Sequence, residues 1–374
     1  MKRKILHVIS SLNDGGAEGV LYKLASYNSK DIEHVVVSLT CGEKYNKLLS
    51  KAGIRVKNLH MKGVRKSLLD FFSLCFFIYK EKPSVVQTWM YHADLIGGIA
   101  ASLMGVRNIV WNIRSGEIHH SQKFTTKAFI KVSALLSRYI PNAIISCSSR
   151  AIEIHKEVGY KGKMILIDNG IDGSLYYPSY KKRAEVREEF SILDSSVLVG
   201  MVARFDPQKD HLNLLKAISR IDQDNYKIIL VGSGTSLENT TLLQWIDELR
   251  LLDKVILVGQ RSDIHRIMCG IDFLVLPSLY GEAFPNVTIE AMSTGTPCIV
   301  TDIGDSARVV GDCGWVVRPN SPKELSDKIR AAINMKVDDS AKYDNLSKSC
   351  IDRVNQKFLI KEMFSGYKRV WCEK

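Results

Sequence analysis

The chain has 374 residues, 45% of them hydrophobic and 25% charged, with a net charge of +12. This is the composition of a globular protein with room for two domains, and it excludes disordered, collagen-like and disulfide-scaffold chains; no apolar run reaches the roughly 18–20 residues that cross a bilayer. Residues 1–180 hold 25 lysines and arginines against 13 carboxylates, whereas residues 181–374 hold 27 of each, so the N-terminal half carries the whole excess and suits an anionic partner such as acidic lipid, a lipid diphosphate or nucleic acid.

Met1-Lys2-Arg3-Lys4 before Ile5–Ser10 imitates a signal peptide. Its apolar part is too short and leads directly into Asn13-Asp14-Gly15-Gly16, so it reads as a first strand. Strand-like runs at 5–9, 34–39, 85–88, 108–112 and 143–147 alternate with helical patterns, the βαβ rhythm of a doubly wound α/β sheet. After the first run, Gly15 and Gly16 let backbone approach an anion at a helix start, with Glu18 beside them. Leu68 to Tyr79 is an apolar run broken by Asp70; within it the Phe71-Phe72…Phe76-Phe77 segment, flanked by Lys62, Arg65, Lys66, Lys80 and Lys82, suits either a membrane surface or the sheet, and reads as a helix buried against the sheet.

Gln87 to Asp94 forms a polar cluster at the carboxyl end of the third run, where open α/β sheets bind ligands, and His92 is its candidate functional residue. Arg114 and Glu117 end the next strand on the same edge. They either meet a ligand there or form a surface ion pair of small energetic weight. From 121 to 140 the pattern is helical, with Phe124, Ala128, Ile130, Leu135 and Ile140 apolar and Lys123, Lys127, Lys131 and Arg138 basic. This is either a helix lying on a membrane surface or a solvated helix face. The eight cysteines lack any C-x-x-C spacing and mostly sit in apolar runs, so they read as reduced, buried thiols of a cytosolic protein.

Residues 173–190 read as a linker and the first helix of a second domain. The strand from Val197 ends in Arg204, and a turn containing Pro207 brings Lys209 to a helix start. Two cations at this spacing clamp a diphosphate, Arg by its fork and Lys as a point charge. The strand at 228–231 runs into Gly232-Ser233-Gly234, and that at 255–258 into Gly259-Gln260-Arg261. Asp222-Gln223-Asp224 precedes a strand, so it belongs to the edge away from ligands and reads as a solvated turn. The apolar run 271–277 leads into Ser278–Met292, a strand-to-helix crossing with Pro285 suited to the first helical turn. The backbone N–H groups of Phe284, Asn286 and Val287 face outward there for an anion, while Glu282 and Glu290, with seven residues between them, suit sugar hydroxyls.

The run Pro277-Ser278-x-x-x-Glu282-x7-Glu290-Ala291-Met292-x-x-Gly295-x-Pro297 resembles the donor-site motif of retaining GT-B glycosyltransferases of family 4, the group 1 glycosyltransferases. The resemblance covers nearly the whole chain, most strongly 197–317 and most loosely 60–140. It implies two Rossmann-like domains facing each other across a cleft: an acceptor-binding domain over 1–180, completed by a C-terminal helix at about 356–374, and a nucleotide-sugar-binding domain over 181–355. Carried over, Glu282 contacts donor-sugar hydroxyls, Glu290 the ribose, and Arg204 and Lys209 the diphosphate. Gly232 lies beside the nucleotide and Arg261 near base or ribose. Gly16 lies near the donor phosphate, His92 faces the donor sugar, and Glu18, Arg114 and Glu117 are acceptor-side candidates. Gly304-Asp305 and Arg308 depart from the Gly-Gly-x-x-Glu of many relatives, so contacts from that loop do not carry over.

The activity so implied is sugar transfer with retention, from a UDP-sugar to a lipid-diphosphate-linked glycan of bacterial surface polysaccharide. Glu282, His92, Arg204 and Lys209 would carry the chemistry without cofactor or metal. The protein would be cytoplasmic, held peripherally at the inner membrane face by anionic lipid, with no nucleic-acid partner. Two alternatives stand beside this: another GT-B sugar-nucleotide enzyme such as an epimerase, and a non-catalytic basic protein binding membrane or nucleic acid.

Overall fold

The computed structural model describes residues 2–13, 15–27, 31–61, 64–116 and 124–373. They fall into two compact units, Met1–Gly170 with Ile360–Lys374, and Ile171–Leu359.

The first unit is built on seven parallel strands: β1 (Arg3–Ile9), β2 (Ile32–Ser38), β3 (Arg55–Asn58), β4 (Val85–Trp89), β5 (Ile109–Ile113), β6 (Ala143–Ser146) and β7 (Met164–Leu166). Their order is β3-β2-β1-β4-β5-β6-β7. The central strands are continuous Val/Ile runs because helices cover both faces of the sheet. The direction of winding reverses between β1 and β4, which makes their carboxyl ends the topological switch point. The edge strand β3, Arg-Val-Lys-Asn, was not expected; with one exposed edge and a half-buried face it lacks the apolar run that marks its neighbours.

The last helix, Ile360–Cys372, belongs to this unit. Met363, Phe364, Tyr367, Val370 and Trp371 recur at helical spacing and join the core formed by Ile5, Ile9, Val36, Val110 and Ile145. The Trp371 indole donates to Gln87 Oε1 at 3.0 Å, and Asn112 Nδ2 donates to the Tyr367 hydroxyl at 2.7 Å. The changeovers lie at 170/171 and 359/360 because Ile171 pairs as a parallel bridge with Leu359 and donates its N–H to the Phe358 carbonyl at 2.8 Å. The chain leaves and returns side by side at that point.

On the opposite face, helices Val64–Glu81, Tyr91–Leu103 and Phe124–Leu136 form one layer. Leu74, Ile78, Ala100, Ala101, Ile130 and Ala134 share a core with Leu6, Val8, Val35 and Trp111 of the strands and their flanks. The expectation of a buried helix over Leu68–Tyr79 is only half met. Leu74 and Ile78 are buried, but Leu68, Leu69, Phe72, Phe76 and Tyr79 are exposed, because a helix lying on a sheet hides one face and none of the described residues covers the other. In Phe124–Leu136, Ile130 and Ala134 are buried while Val132 and Leu135 are exposed; Lys123 lies outside the described residues.

The second unit has six parallel strands: β8 (Val197–Val202), β9 (Tyr226–Val231), β10 (Val255–Gly259), β11 (Phe273–Leu276), β12 (Cys298–Thr301) and β13 (Gly314–Val317), in the order β10-β9-β8-β11-β12-β13. Its switch point lies between β8 and β11. The buried Asp272, just before β11, accepts from Arg183 at 2.7 Å, Arg187 at 3.2 Å and the Leu198 N–H at 2.8 Å, fixing helix Tyr180–Glu189 to the amino edge of the sheet. Six of the eight cysteines are buried and two, Cys41 and Cys372, are exposed; all are free thiols. Among the described residues no helix is long and apolar enough to cross a membrane.

Candidate functional site

The carboxyl ends of β8 and β11 bring together the strongest motif residues. After β8 the chain passes Arg204 and makes a short turn, Pro207–Lys209, capped by Asp206, whose carboxylate accepts from the Gln208 N–H at 2.9 Å. Asp210 adopts a left-handed conformation (φ 51°) and accepts from the Asn213 N–H at 3.2 Å, starting helix His211–Ile218. Asp and Asn tolerate that conformation better than other side chains, so the turn is written into the sequence. Its effect is to send Lys209 and Arg204 different ways. Arg204 stays exposed, with Nε donating to Asp206 at 3.1 Å and Nη2 to Gln208 Oε1 at 3.0 Å. The Lys209 ammonium reaches the β11 loop and pairs with Glu282.

Glu282 is 7% exposed. Its Oε1 accepts from both Lys209 and the Ser278 hydroxyl, the latter at 2.7 Å. A buried carboxylate needs this charged partner; removing one member of such a pair costs about 3–5 kcal/mol. The two loops also lock through backbone, since the Leu279 N–H donates to the Gln208 carbonyl at 2.8 Å. Gly281 has φ +76° and lies against the Gln208 side chain, leaving little room for a Cβ. Ser278 and Gln208 were not singled out as site residues in the sequence. The Ser-x-x-x-Glu spacing carried a signal for the first; the second acts through its carbonyl on Leu279 and its side chain on Arg204, and left none.

The loop after β12 departs from the family pattern, yet it supports Glu282 from below. A Cβ on Gly304 (φ +58°) would overlap the Glu282 carbonyl, the Asp305 N–H donates to the Ala283 carbonyl at 3.1 Å, and Thr301 Oγ1 donates to the Ser278 carbonyl at 2.6 Å. Helix Asn286–Ser293 starts here with Pro285 at its cap and no side-chain cap, so its positive end faces the loop. Phe284 turns its ring inward, edge-on to Phe358 at 5.7 Å, which leaves only its backbone to a ligand. Asn286 and Val287 form the first turn, and the half-buried Glu290 follows one turn on. At the end of neighbouring β9, Gly232 has no space for a Cβ against the Ala203 carbonyl.

Arg261 stands apart. It follows the edge strand β10, two strands from β8, with both ends of its guanidinium on Asp263 (2.8 Å each) and Nη1 on Glu189 at 2.7 Å. Asp222 and Asp224 are exposed at the amino edge. Among the described residues no three His, Cys, Asp or Glu side chains converge on a point that would hold a metal ion.

The first unit gathers its candidates around its own switch point. Gly16 opens helix Gly16–Ser26 with open space above its Cα, and Glu18 accepts from Ser11 Oγ at 3.1 Å. His92, second residue of helix Tyr91–Leu103, is half-buried with its ring 4.4 Å from that of Phe129, and burial lowers its pKa. Met90 before it has φ 71° and ψ 158°, a region normally open only to glycine. Arg114, after β5, donates to Asn169 Oδ1 at 2.5 Å and lies over the Trp89 ring, while its buried Nη1 has no hydrogen-bond partner among the described residues. Asp94 is wholly buried, accepting from Thr88 Oγ1 at 2.5 Å and the Asn112 N–H at 3.3 Å, and burial pushes its pKa up to about 8. Glu117 and Asp14 lie outside the described residues.

Comparison with known proteins bears on both units. Residues 182–351 match the family described as glycosyl transferases group 1. Over 332 residues the chain is 27% identical to the UDP-Gal:alpha-D-GlcNAc-diphosphoundecaprenol alpha-1,3-galactosyltransferase of Escherichia coli, spanning 85% of this chain and 81% of that protein. It is 25% identical over 308 residues to the capsular polysaccharide biosynthesis glycosyltransferase CapM of Staphylococcus aureus, spanning 78% and 77%. Among solved structures, Anabaena HepE in complex with UDP superposes with a TM-score of 0.87 over 99% of both chains at 22% identity. The same protein has been solved with UDP-glucose. Family match, relatives and fold point the same way: residues 182–351 are similar to the group 1 glycosyl transferases, the whole chain is similar to bacterial glycosyltransferases, and its fold is that of the GT-B architecture.

Proposed function

We propose that this glycosyltransferase moves a sugar from a UDP-sugar to a lipid-diphosphate-linked glycan of bacterial surface polysaccharide, with retention of anomeric configuration and without a metal, at the inner membrane face. One observation carries the donor half: the Lys209–Glu282–Ser278 cluster beside Arg204 at the carboxyl edge of β8 and β11. Arg204 is exposed and takes the diphosphate with its free edge. Lys209 spends one of three ammonium donors on Glu282 and has two for phosphate. Glu282, held through Oε1, keeps its other oxygen for donor-sugar hydroxyls, and Glu290 accepts from the ribose. The name of the E. coli relative contains a UDP-sugar and a diphosphoundecaprenol acceptor, and HepE has been solved with UDP, which supports both substrate classes.

In the reaction the bond from the anomeric carbon to the diphosphate oxygen breaks, and a bond to the acceptor hydroxyl oxygen forms on the same face. The hydroxyl proton passes to the leaving diphosphate. Negative charge grows on that leaving group, so Arg204, Lys209 and the start of helix Asn286–Ser293 stabilise the transition state more than the ground state. The acceptor is assigned to the first unit, where Arg114 Nη1, buried and without a partner among the described residues, can take an anion and His92 stays neutral near pH 7.

Mass spectrometry of reactions with a panel of nucleotide sugars and lipid-diphosphate acceptors, with and without EDTA, tests this. A glycosylated lipid, formed equally with EDTA and with the donor's anomeric configuration by NMR, is the expected product. Sugar interconversion without an acceptor identifies an epimerase, the absence of any turnover favours a binding protein, and loss of activity in EDTA overturns the metal-free mechanism.

A further inference from the structure

Helix Val64–Glu81 is amphipathic in an unusual sense: both of its faces are apolar. One packs on the sheet through Leu74, Cys75 and Ile78. The other presents Leu68, Leu69, Phe72, Phe76 and Tyr79, each between 57% and 69% exposed. At about 100° per residue these five fall within roughly a third of the helix circumference, one unbroken stripe along three turns. Single exposed apolar residues are ordinary, but a contiguous aromatic stripe left to water marks a docking surface.

The surrounding charges say what docks. The helix has two acidic residues, and neither belongs to the stripe. Asp70 accepts from the His60 N–H at 3.2 Å, and Glu81 is tied to Lys4 at 2.9 Å and Arg55 at 2.8 Å. In the neighbouring helix Tyr91–Leu103 the one acid, Asp94, is wholly buried, and Phe124–Leu136 has none. Among the described residues of this three-helix layer, therefore, no exposed side chain is acidic. Lys80 and Lys131 are exposed there, with Lys82 and Arg138 just beyond the helix ends. Leu135 of the third helix and Tyr139 in the turn after it are also exposed.

We infer that the Leu68–Tyr79 stripe is the face by which this protein inserts into an anionic lipid bilayer, with the flanking lysines and Arg138 resting on lipid headgroups. The inference deepens the membrane part of the proposed function and rests on it. A second copy of this chain is the weaker occupant, since a two-fold pairing of the layer would set cations against cations. A bilayer supplies both halves of the match: acyl chains for the stripe and anionic headgroups for the cations. The insertion is shallow, at the level of one helix face, and reversible. The basic helix Phe124–Leu136 has the secondary part, because its exposed apolar surface is smaller.

The test is flotation of the full chain with vesicles of phosphatidylcholine alone and of phosphatidylcholine with phosphatidylglycerol. The wild type should float with the anionic vesicles, and less so in high salt. Leu69→Gln, Phe72→Gln and Phe76→Gln combined should weaken partition by about 30-fold or more, since each loses a buried apolar group. All three side chains are exposed, so UDP affinity and the circular dichroism spectrum should stay as in the wild type. A Phe72→Trp variant should show indole quenching by brominated lipid. Wild type that ignores anionic vesicles overturns the membrane reading, and triple-variant partition equal to wild type overturns this face. A concentration-dependent dimer in the absence of lipid, abolished in the triple variant, assigns the stripe to self-association and overturns the inference too. Transfer to a water-soluble short-chain lipid diphosphate is measured alongside: both proteins should catalyse it equally. Failure there counts against the proposed reaction and leaves the docking face to the flotation result.

Discussion

The two sheets have corresponding switch points, β1/β4 in one unit and β8/β11 in the other, and they are furnished differently. The β8/β11 edge is braced: paired charges, a hydroxyl on the carboxylate and glycines packed against backbone carbonyls hold Glu282 in place before any ligand arrives. The β1/β4 edge holds a strained Met90, a half-buried His92 and the Arg114 guanidinium, one nitrogen of which has no partner among the described residues. A preorganised edge suits a fixed charged group such as a diphosphate. The other suits a partner that completes the site on binding.

Breaking the braced edge should have the largest effect. Lys209→Ala strands a buried carboxylate and removes a diphosphate contact. Turnover should fall about 100–1000-fold, and stability by up to about 3–5 kcal/mol. Adding Glu282→Gln should restore much of the stability but none of the turnover. Additive stability losses in a denaturation double-mutant cycle would show that the pair is not coupled.

Next comes the pH response of the other edge. Asp94 binds its proton more tightly folded (pKa about 8) than at its ordinary 3.8. Its stabilising effect is therefore complete below pH 4 and is lost as pH rises through 8, on the order of 1 kcal/mol per unit between. Asp94→Asn keeps the bonds from Thr88 and Asn112 and puts an amide where Oδ2 has no partner. Urea titrations from pH 4 to 9 should show a flatter profile for this variant; parallel profiles would mean that Asp94 stays ionised.

The two glutamates of the donor loop sharpen the comparison within one edge. Glu290→Gln should weaken UDP binding and raise KM for the donor, whereas Glu282→Gln should spare UDP and lower kcat, each by about 1.5–3 kcal/mol. The opposite pattern in steady-state kinetics would exchange their roles. The smallest effect is Met90→Gly, which relieves a backbone strain of about 1–3 kcal/mol against the lost side chain. A melting temperature equal to or slightly above wild type is expected; a clear drop would mean that the side chain matters more than the strain.

What could be read from the sequence follows from the same contrast. The gathering of charges at the β8/β11 edge was legible because it rests on charged or conformationally special residues at fixed spacings: Arg204 and Lys209, Glu282 and Glu290, Gly295 and Pro297. The central strands were legible as buried Val/Ile runs. The edge strand β3 was not, because Arg-Val-Lys-Asn has no such run. Ser278 and Gln208 were missed because they act on other protein groups, Ser278 on Glu282 and Gln208 on Leu279 and Arg204. The aromatic stripe of Val64–Glu81 reads as core in the sequence, since composition does not tell an apolar face turned to the sheet from one turned outward; only the packing of Leu74 and Ile78 decides that. Arg261 reads as a nucleotide contact in the sequence; its ion pair with Glu189 was not legible, because it depends on a helix 72 residues away, whereas Asp263 lies only two residues on.

The central claim is that the nucleotide sugar binds at the β8/β11 edge. Titration calorimetry with UDP on the wild type, Arg204→Ala and Arg114→Ala tests it most directly. Both replace an arginine at a carboxyl edge, one in each unit. UDP affinity should drop about tenfold or more in Arg204→Ala and hold in Arg114→Ala. Affinity lost in Arg114→Ala and kept in Arg204→Ala would place the nucleotide on the other sheet and contradict the assignment.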